Sequence, residues 1–186
     1  LGDRPGGLGV RTPELDRFAE RHAAEVHGFY TGSFPTIPHR TDIATGRLGW
    51  PHHGWQAIDL SGRNHIASLL NQNGYSTQLI CDCPHLFKAH FDLPFNAAVQ
   101  NRGQEGDRPM LRLNDPIKQV MPPEKTRLRP AIGGATLVDV HRWTNRYFAL
   151  EQETFAAKTG SMVCQWLEEN CNGAPFFMWA DFFDPH

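Results

Sequence analysis

The run Phe176-Phe177-Met178-Trp179-Ala180 is apolar at every position. A strand with one wet face alternates apolar and polar residues, because successive side chains point to opposite faces. A run without alternation suits a strand covered on both faces, as in a parallel sheet between helices. The preceding residues agree. A helical pattern runs from about Asn145 to Glu169, with Phe148, Phe155, Thr159, Met162, Cys164 and Trp166 on its broad apolar face, and Gly173 and Pro175 stop it. The same order occurs earlier. Ser61 is placed to cap a helix with Ile66, Leu69 and Leu70 on its inner face, Gly74 suits the position after its end, and Thr77 to Asp82 reads as a strand. Helix, glycine, strand, repeated, predicts an α/β fold.

Elsewhere the pattern is weaker. Thr12-Pro13-Glu14-Leu15 is a helix start, with a hydroxyl cap, proline at the first helical position and acid in the first turn. Val26 to Tyr30 is a short strand candidate. Leu48 to Asp59, with two tryptophans and two histidines, reads as a packed loop. Leu86 to Gly134 carries six prolines after Leu93 and predicts irregular loops forming an active-site rim.

The length of 186 residues predicts one domain or a large piece of one. A net charge of -2 and a pI near 6.6 exclude nucleic-acid binding driven by basic charge. No apolar run reaches the roughly 18 residues of a membrane span, so the expectation is a soluble protein of the cytoplasm or periplasm. Both ends read as cuts rather than natural termini. Cys81, Cys83, Cys164 and Cys171 make no disulfide framework at this length and read as buried thiols, the latter two sharing a helix face.

Chemistry concentrates in Thr36-Ile37-Pro38-His39-Arg40-Thr41-Asp42-Ile43-Ala44-Thr45-Gly46-Arg47. Thr36 stands just ahead of about two helical turns started by Pro38 and ended by Gly46. A hydroxyl at a helix N-terminus, with Arg40 behind it, is an arrangement for presenting a nucleophile and a forked cation to one anionic group. The plainer alternative is a capping threonine and a surface salt bridge.

This run resembles the sulfatase signature, Cys/Ser-x-Pro-x-Arg-x-x-x-x-Thr-Gly-Arg, with threonine at the nucleophile position. Three further segments follow in the family's order. Thr12 to Ala19 resembles its Thr-Pro-Asn-Leu-Asp-Arg-Leu-Ala run, Gly74-Tyr75-Ser76-Thr77 its Gly-Tyr-x-Thr, and Pro175 to His186 the strand ending in a substrate-contacting histidine. Leu1-Gly2 falls where the family has Leu-Gly after its first strand. The resemblance implies an alkaline-phosphatase-like α/β/α sandwich, present as an incomplete N-terminal portion truncated at both ends. It implies hydrolysis of small anionic sulfate, phosphate or phosphonate esters at a divalent metal ion (Ca, or Mn, Zn or Mg). It assigns Thr36 as nucleophile and metal contact, Arg40 as the arginine that steadies it, and His186 as the histidine on the transferred group. His85 lies near the second-signature histidine, although Cys81-Asp82 stands where the family's Gly-Lys-x-His has its lysine. The remaining metal carboxylates are expected before Leu1 and after His186. Arg102 to Arg108 resembles a run in the phosphonate-monoester-hydrolase branch, although its glycines also suit a simple turn.

Threonine narrows the chemistry. Sulfatases oxidise Cys or Ser here to formylglycine, whereas the β-methyl of Thr36 allows oxidation only to a ketone. No formylglycine is therefore expected, and a threonine alkoxide attacking phosphorus is the open route. Two other readings compete: a non-catalytic sulfatase-fold anion binder, and a zinc module built from His52, His53, Cys81 and Cys83. His22, His27, His65, His90 and His141 lack ligand spacing and read as surface or satisfied residues. Trp50, Trp55, Trp143, Trp166 and Trp179 read as core or loop anchors.

Overall fold

The computed structural model describes residues 11–61, 65–102, 107, 149–173 and 175–184. The chain divides into two compact units, Leu1–Thr31 and Gly32–His186.

In the first unit, helix α1 (Pro13–His22) begins where the sequence places it, with Pro13 at its first position. The Thr12 hydroxyl does not cap the backbone but donates to Asp16 Oδ1 at 3.1 Å. Val26 to Tyr30 forms no strand. Gly28 turns the chain in the left-handed region at φ 71°, and Val26, Phe29 and Tyr30 are exposed. β-propensity becomes a strand only against a partner ladder.

The second unit is built on a three-stranded parallel sheet. Its strands are β1 (Ser76–Cys81), β2 (Ala97–Gln100) and β3 (Phe176–Asp181), in the order β2-β1-β3. The register aligns Gln100, Cys81 and Asp181 in one row, so the three strands end flush at the carboxyl edge. Helix α3 (Ile66–Gln72) leads into β1 through a left-handed Gly74 at φ 83°. The Gly74 N–H donates to the Asn71 carbonyl (3.1 Å) and the Tyr75 N–H to that of Leu70 (3.0 Å), which satisfies the last helical carbonyls. On one face of β1, Leu79 and Cys81 join Ala67, Leu86, Phe91 and Phe95 in the core, with Phe177 and Trp179 of β3 packed against them. Fully burying one such aliphatic or aromatic side chain contributes about 1.5–3 kcal/mol.

The start of α3 differs from the sequence expectation. Its cap is His65, not Ser61: His65 Nδ1 accepts from the Ala67 N–H at 3.1 Å, while Ser61 bonds Asp59 Oδ1. Ala67 is the buried residue of this helix, and Leu69 is exposed. His65 is 1% exposed, between the edges and faces of Phe91 and Phe95, and its Nε2 has no partner among the described residues. Burial without a counter-charge pushes its pKa down to about 4.

Leu86 to Gly134 is not all loop. A short helix α4 (Pro84–Lys88) runs into it, and β2 lies within it; residues 108–134 lie outside the described residues. The long helix α5 (Phe155–Asn170) begins later than Asn145 suggests. Thr154 caps it by accepting from the Ala157 N–H at 3.3 Å, after a tight turn at Glu151–Glu153. Phe155 and Thr159 are its buried residues. Cys164 and Cys171 are exposed, so only Cys81 and Cys83 behave as buried thiols. Trp50 and Trp55 are also exposed rather than core anchors, whereas Trp179 packs edge-on against Phe91 at 5.1 Å. Trp143 and His141 lie outside the described residues. No described helix is long and apolar enough to cross a membrane.

Candidate active site

In a parallel sheet, strands end together at the carboxyl edge, and ligands bind there where neighbouring connections diverge. The order β2-β1-β3 places that divergence between β1 and β3. The residues that follow these two strands, Asp82 to His85 and Phe182 to Asp184, meet here, and helix α2 (Thr36–Thr45) docks on the same edge.

Helix α2 starts two residues earlier than Pro38 indicates. Pro35 is its cap, Thr36 is the first helical residue, and Pro38 falls in the first turn, where its missing N–H costs no helical bond. Gly46, left-handed at φ 65°, ends it as expected. Ile37, Thr41 and Ala44 are buried. The loop beyond pins the helix: Asp42 Oδ1 accepts from the Gly49 N–H (2.8 Å), and Ser33 Oγ accepts from the Trp50 N–H (3.0 Å). Gly32 fits because any Cβ there would meet Leu48 at 2.1 Å and Asp42 Oδ2 at 2.9 Å. Thr36 is half-buried, and its hydroxyl makes no hydrogen bond to a described residue.

Arg40 lies four residues on, hence on the same face of α2 as Thr36. Its Nε donates to Asp181 Oδ2 at 2.6 Å and its Nη2 to Asp181 Oδ1 at 2.7 Å. This fork ties α2 to the last residue of β3. Asp181 Oδ2 also accepts from Trp179 Nε1 at 3.2 Å. Burial pulls the Arg40 pKa down, but the hydrogen bonds and charge of Asp181 outweigh it and leave the net shift upward. Arg40 is a permanent cation at this edge.

Asp82, fully buried, closes the other side. Its Oδ1 accepts from the Phe183 N–H at 2.9 Å and its Oδ2 from Thr159 Oγ1 at 3.3 Å. Asn101, just past β2, donates to the same Thr159 hydroxyl at 3.1 Å. One carboxylate therefore joins the ends of β1 and β3 to α5. Burial raises its pKa, against the opposing Phe183 N–H, with Asp184 adding to the rise.

His85 is half-buried in α4, with its ring edge-on to Trp55 (5.1 Å) and to Phe183 (6.4 Å). It therefore stands at the loop that leads out of β3. Cys83 is the cap of α4. Burial pushes the Cys81 thiol up to about 12 and the Cys83 thiol up to about 11. Both remain protonated and weakly reactive at neutral pH. His186 lies outside the described residues. Arg102 forks onto Asp107 (3.1 and 2.8 Å), and residues 103–106 lie outside the described residues.

Among the described residues no group of three His, Cys, Asp or Glu is placed to hold a metal ion. Two acids of the edge are committed elsewhere, Asp181 to Arg40 and Trp179, and Asp82 to Phe183 and Thr159. Sequence reading missed both acids. The signal for Asp181 was present: it is an acid closing an otherwise apolar strand at its carboxyl end.

No known protein family, curated protein or solved structure matches this chain.

Proposed function

We propose that this chain is part of a sulfatase-like hydrolase of sulfate, phosphate or phosphonate esters, on an alkaline-phosphatase-like α/β/α framework, with Thr36 as nucleophile. One observation carries the reading. Thr36 and Arg40 share a face of α2, and that face is docked on the carboxyl edge of a parallel sheet through Arg40 and Asp181. Thr36 Oγ would form the bond to phosphorus or sulfur, its proton passing to the ester oxygen, which leaves as the alcohol with the electron pair of the broken bond. Water would then cleave the threonine ester. Arg40 would meet the oxyanion charge that grows in each step. His85 and His186 are assigned to the transferred or leaving oxygen by the resemblance alone. A divalent metal is likewise suggested by the resemblance only. The described residues do not offer it a ligand set, so no step is routed through it.

A second reading is a non-catalytic anion binder on the same framework. It is favoured by the Thr36 hydroxyl having no hydrogen-bonded base among the described residues, since a hydroxyl needs activation to attack. Turnover decides between them. The full-length protein is assayed on an aryl phosphate diester, a phosphonate monoester and an aryl sulfate. Thr36→Ala is expected to lower kcat by about 1,000-fold or more on the ester that is turned over, with the fold intact. Retained rate would sink the nucleophile assignment, and no turnover by the parent protein would leave the binder.

A further inference from the structure

A guanidinium carries five N–H donors, and the edge it offers a partner decides where the rest point. Asp181 takes the Nε/Nη2 edge of Arg40. Nη1 and the second Nη2 hydrogen remain unpaired among the described residues, and the side chain keeps 18% of its surface exposed. A second fork, at the end of the guanidinium, therefore stays open. The carboxylate is itself braced, because Asp181 Oδ2 accepts from Trp179 Nε1, and Trp179 packs edge-on against the buried Phe91.

We propose that Asp181 is a positioning residue: it holds Arg40 by one edge so that the other fork is presented, already oriented, to an oxyanion beside Thr36. This rests on the anion-transfer reading above but concerns the orientation of the cation rather than the reaction. A long arginine side chain loses rotamer freedom when it grips an anion, and one already held by a buried carboxylate loses less.

Orientation and charge predict opposite signs. Asp181→Asn removes a negative charge next to the anion, which by Coulomb attraction alone should tighten binding. It also sets an amide N–H₂ against a guanidinium N–H, so one of the two bonds is lost and the fork turns. Inorganic phosphate binding to the full-length protein, measured by titration calorimetry well below the melting temperature, separates the two effects. With Asp181 as positioning residue, Asp181→Asn weakens phosphate binding about tenfold and Asp181→Glu recovers part of the loss. Unchanged or tighter binding in Asp181→Asn overturns the proposal, because a carboxylate that merely supports the fold or blocks the arginine gives those results. Arg40→Ala binding phosphate like the parent protein also overturns it. Should Asp181→Asn not fold, Trp179→Phe removes the indole donor and keeps an aromatic ring at the Phe91 contact. It is then expected to weaken phosphate binding about two- to threefold, and no change refutes the proposal. A parent protein that binds phosphate through Arg40 yet hydrolyses none of the three esters defeats the hydrolase reading and leaves this one standing.

Discussion

Asp181 ends β3 and Asp82 follows the neighbouring β1, and the Asp82 N–H donates to the Asp181 carbonyl at 3.4 Å, yet the two carboxyls are held in different ways. Asp181 faces a guanidinium and an indole N–H. Among the described residues Asp82 accepts from a backbone N–H and a hydroxyl, and burial raises its pKa. The difference shows how a single sheet edge divides its tasks. The Asp181 side keeps opposite charges together, with guanidinium donors to spare. The Asp82 side uses neutral donors to lock the loop after β3 onto α5. Charge is kept where an anion could be met, and shape is kept where none is.

The largest effect expected from this contrast is on the charged side. Arg40→Leu leaves Asp181, 6% exposed, without its cation, and should cost about 3–5 kcal/mol of unfolding free energy in a urea titration. Replacing both residues with leucine should restore much of that loss. A cost below about 1 kcal/mol would mean that the pair behaves like a surface ion pair, and the contrast would collapse.

Acid titration comes next, because it reaches the buried His65. Its folded pKa, about 4, lies below the unfolded value near 6.5, so the unfolded chain takes up the proton first. Stability should therefore fall as pH drops from about 6.5 to about 4, by about 3 kcal/mol in all. His65→Asn keeps an acceptor for the α3 cap and should remove this slope. Melting temperatures recorded across that range test it, and an unaltered slope in the variant would clear His65 of the effect.

The smallest expected effect is on the neutral side. Asp82→Asn keeps an acceptor for the Phe183 N–H and should change stability by less than about 1 kcal/mol at pH 7. The sign with pH is opposite to that of His65. The raised carboxyl pKa means that the folded chain takes up this proton first, so the parent protein gains on the Asn variant as pH falls. Equal losses for Asp82→Asn and Arg40→Leu would show that both acids are charge sites.

The legible parts of the fold were those set by local backbone chemistry. Gly46 and Gly74 end α2 and α3 in left-handed conformations, Pro13 opens α1, and the unbroken apolar run marked β3. β2 was not legible, because Ala97–Gln100 is short and only partly buried and exists through its pairing with β1. Nor was the cap at His65. Ser61 is the better capping residue by type, but the buried imidazole beside Phe91 and Phe95 occupies the cap position. In the candidate site, Thr36 and Arg40 could be paired from their helical spacing. The Arg40–Asp181 fork joins residues 141 apart and left only an acid at a strand end as its trace.

By itself, the sequence determined the α/β class and the glycine ends of α2 and α3. Each depends on one side chain or on a pattern a few residues long. Tertiary structure alone decided which carboxylate meets Arg40, which is held by neutral groups, and which way the arginine's remaining N–H groups are offered. Those outcomes depend on the flush register of β1 and β3 and on where α2 docks against them. Long-range register is set by the packing of whole elements, and local spacing does not encode it.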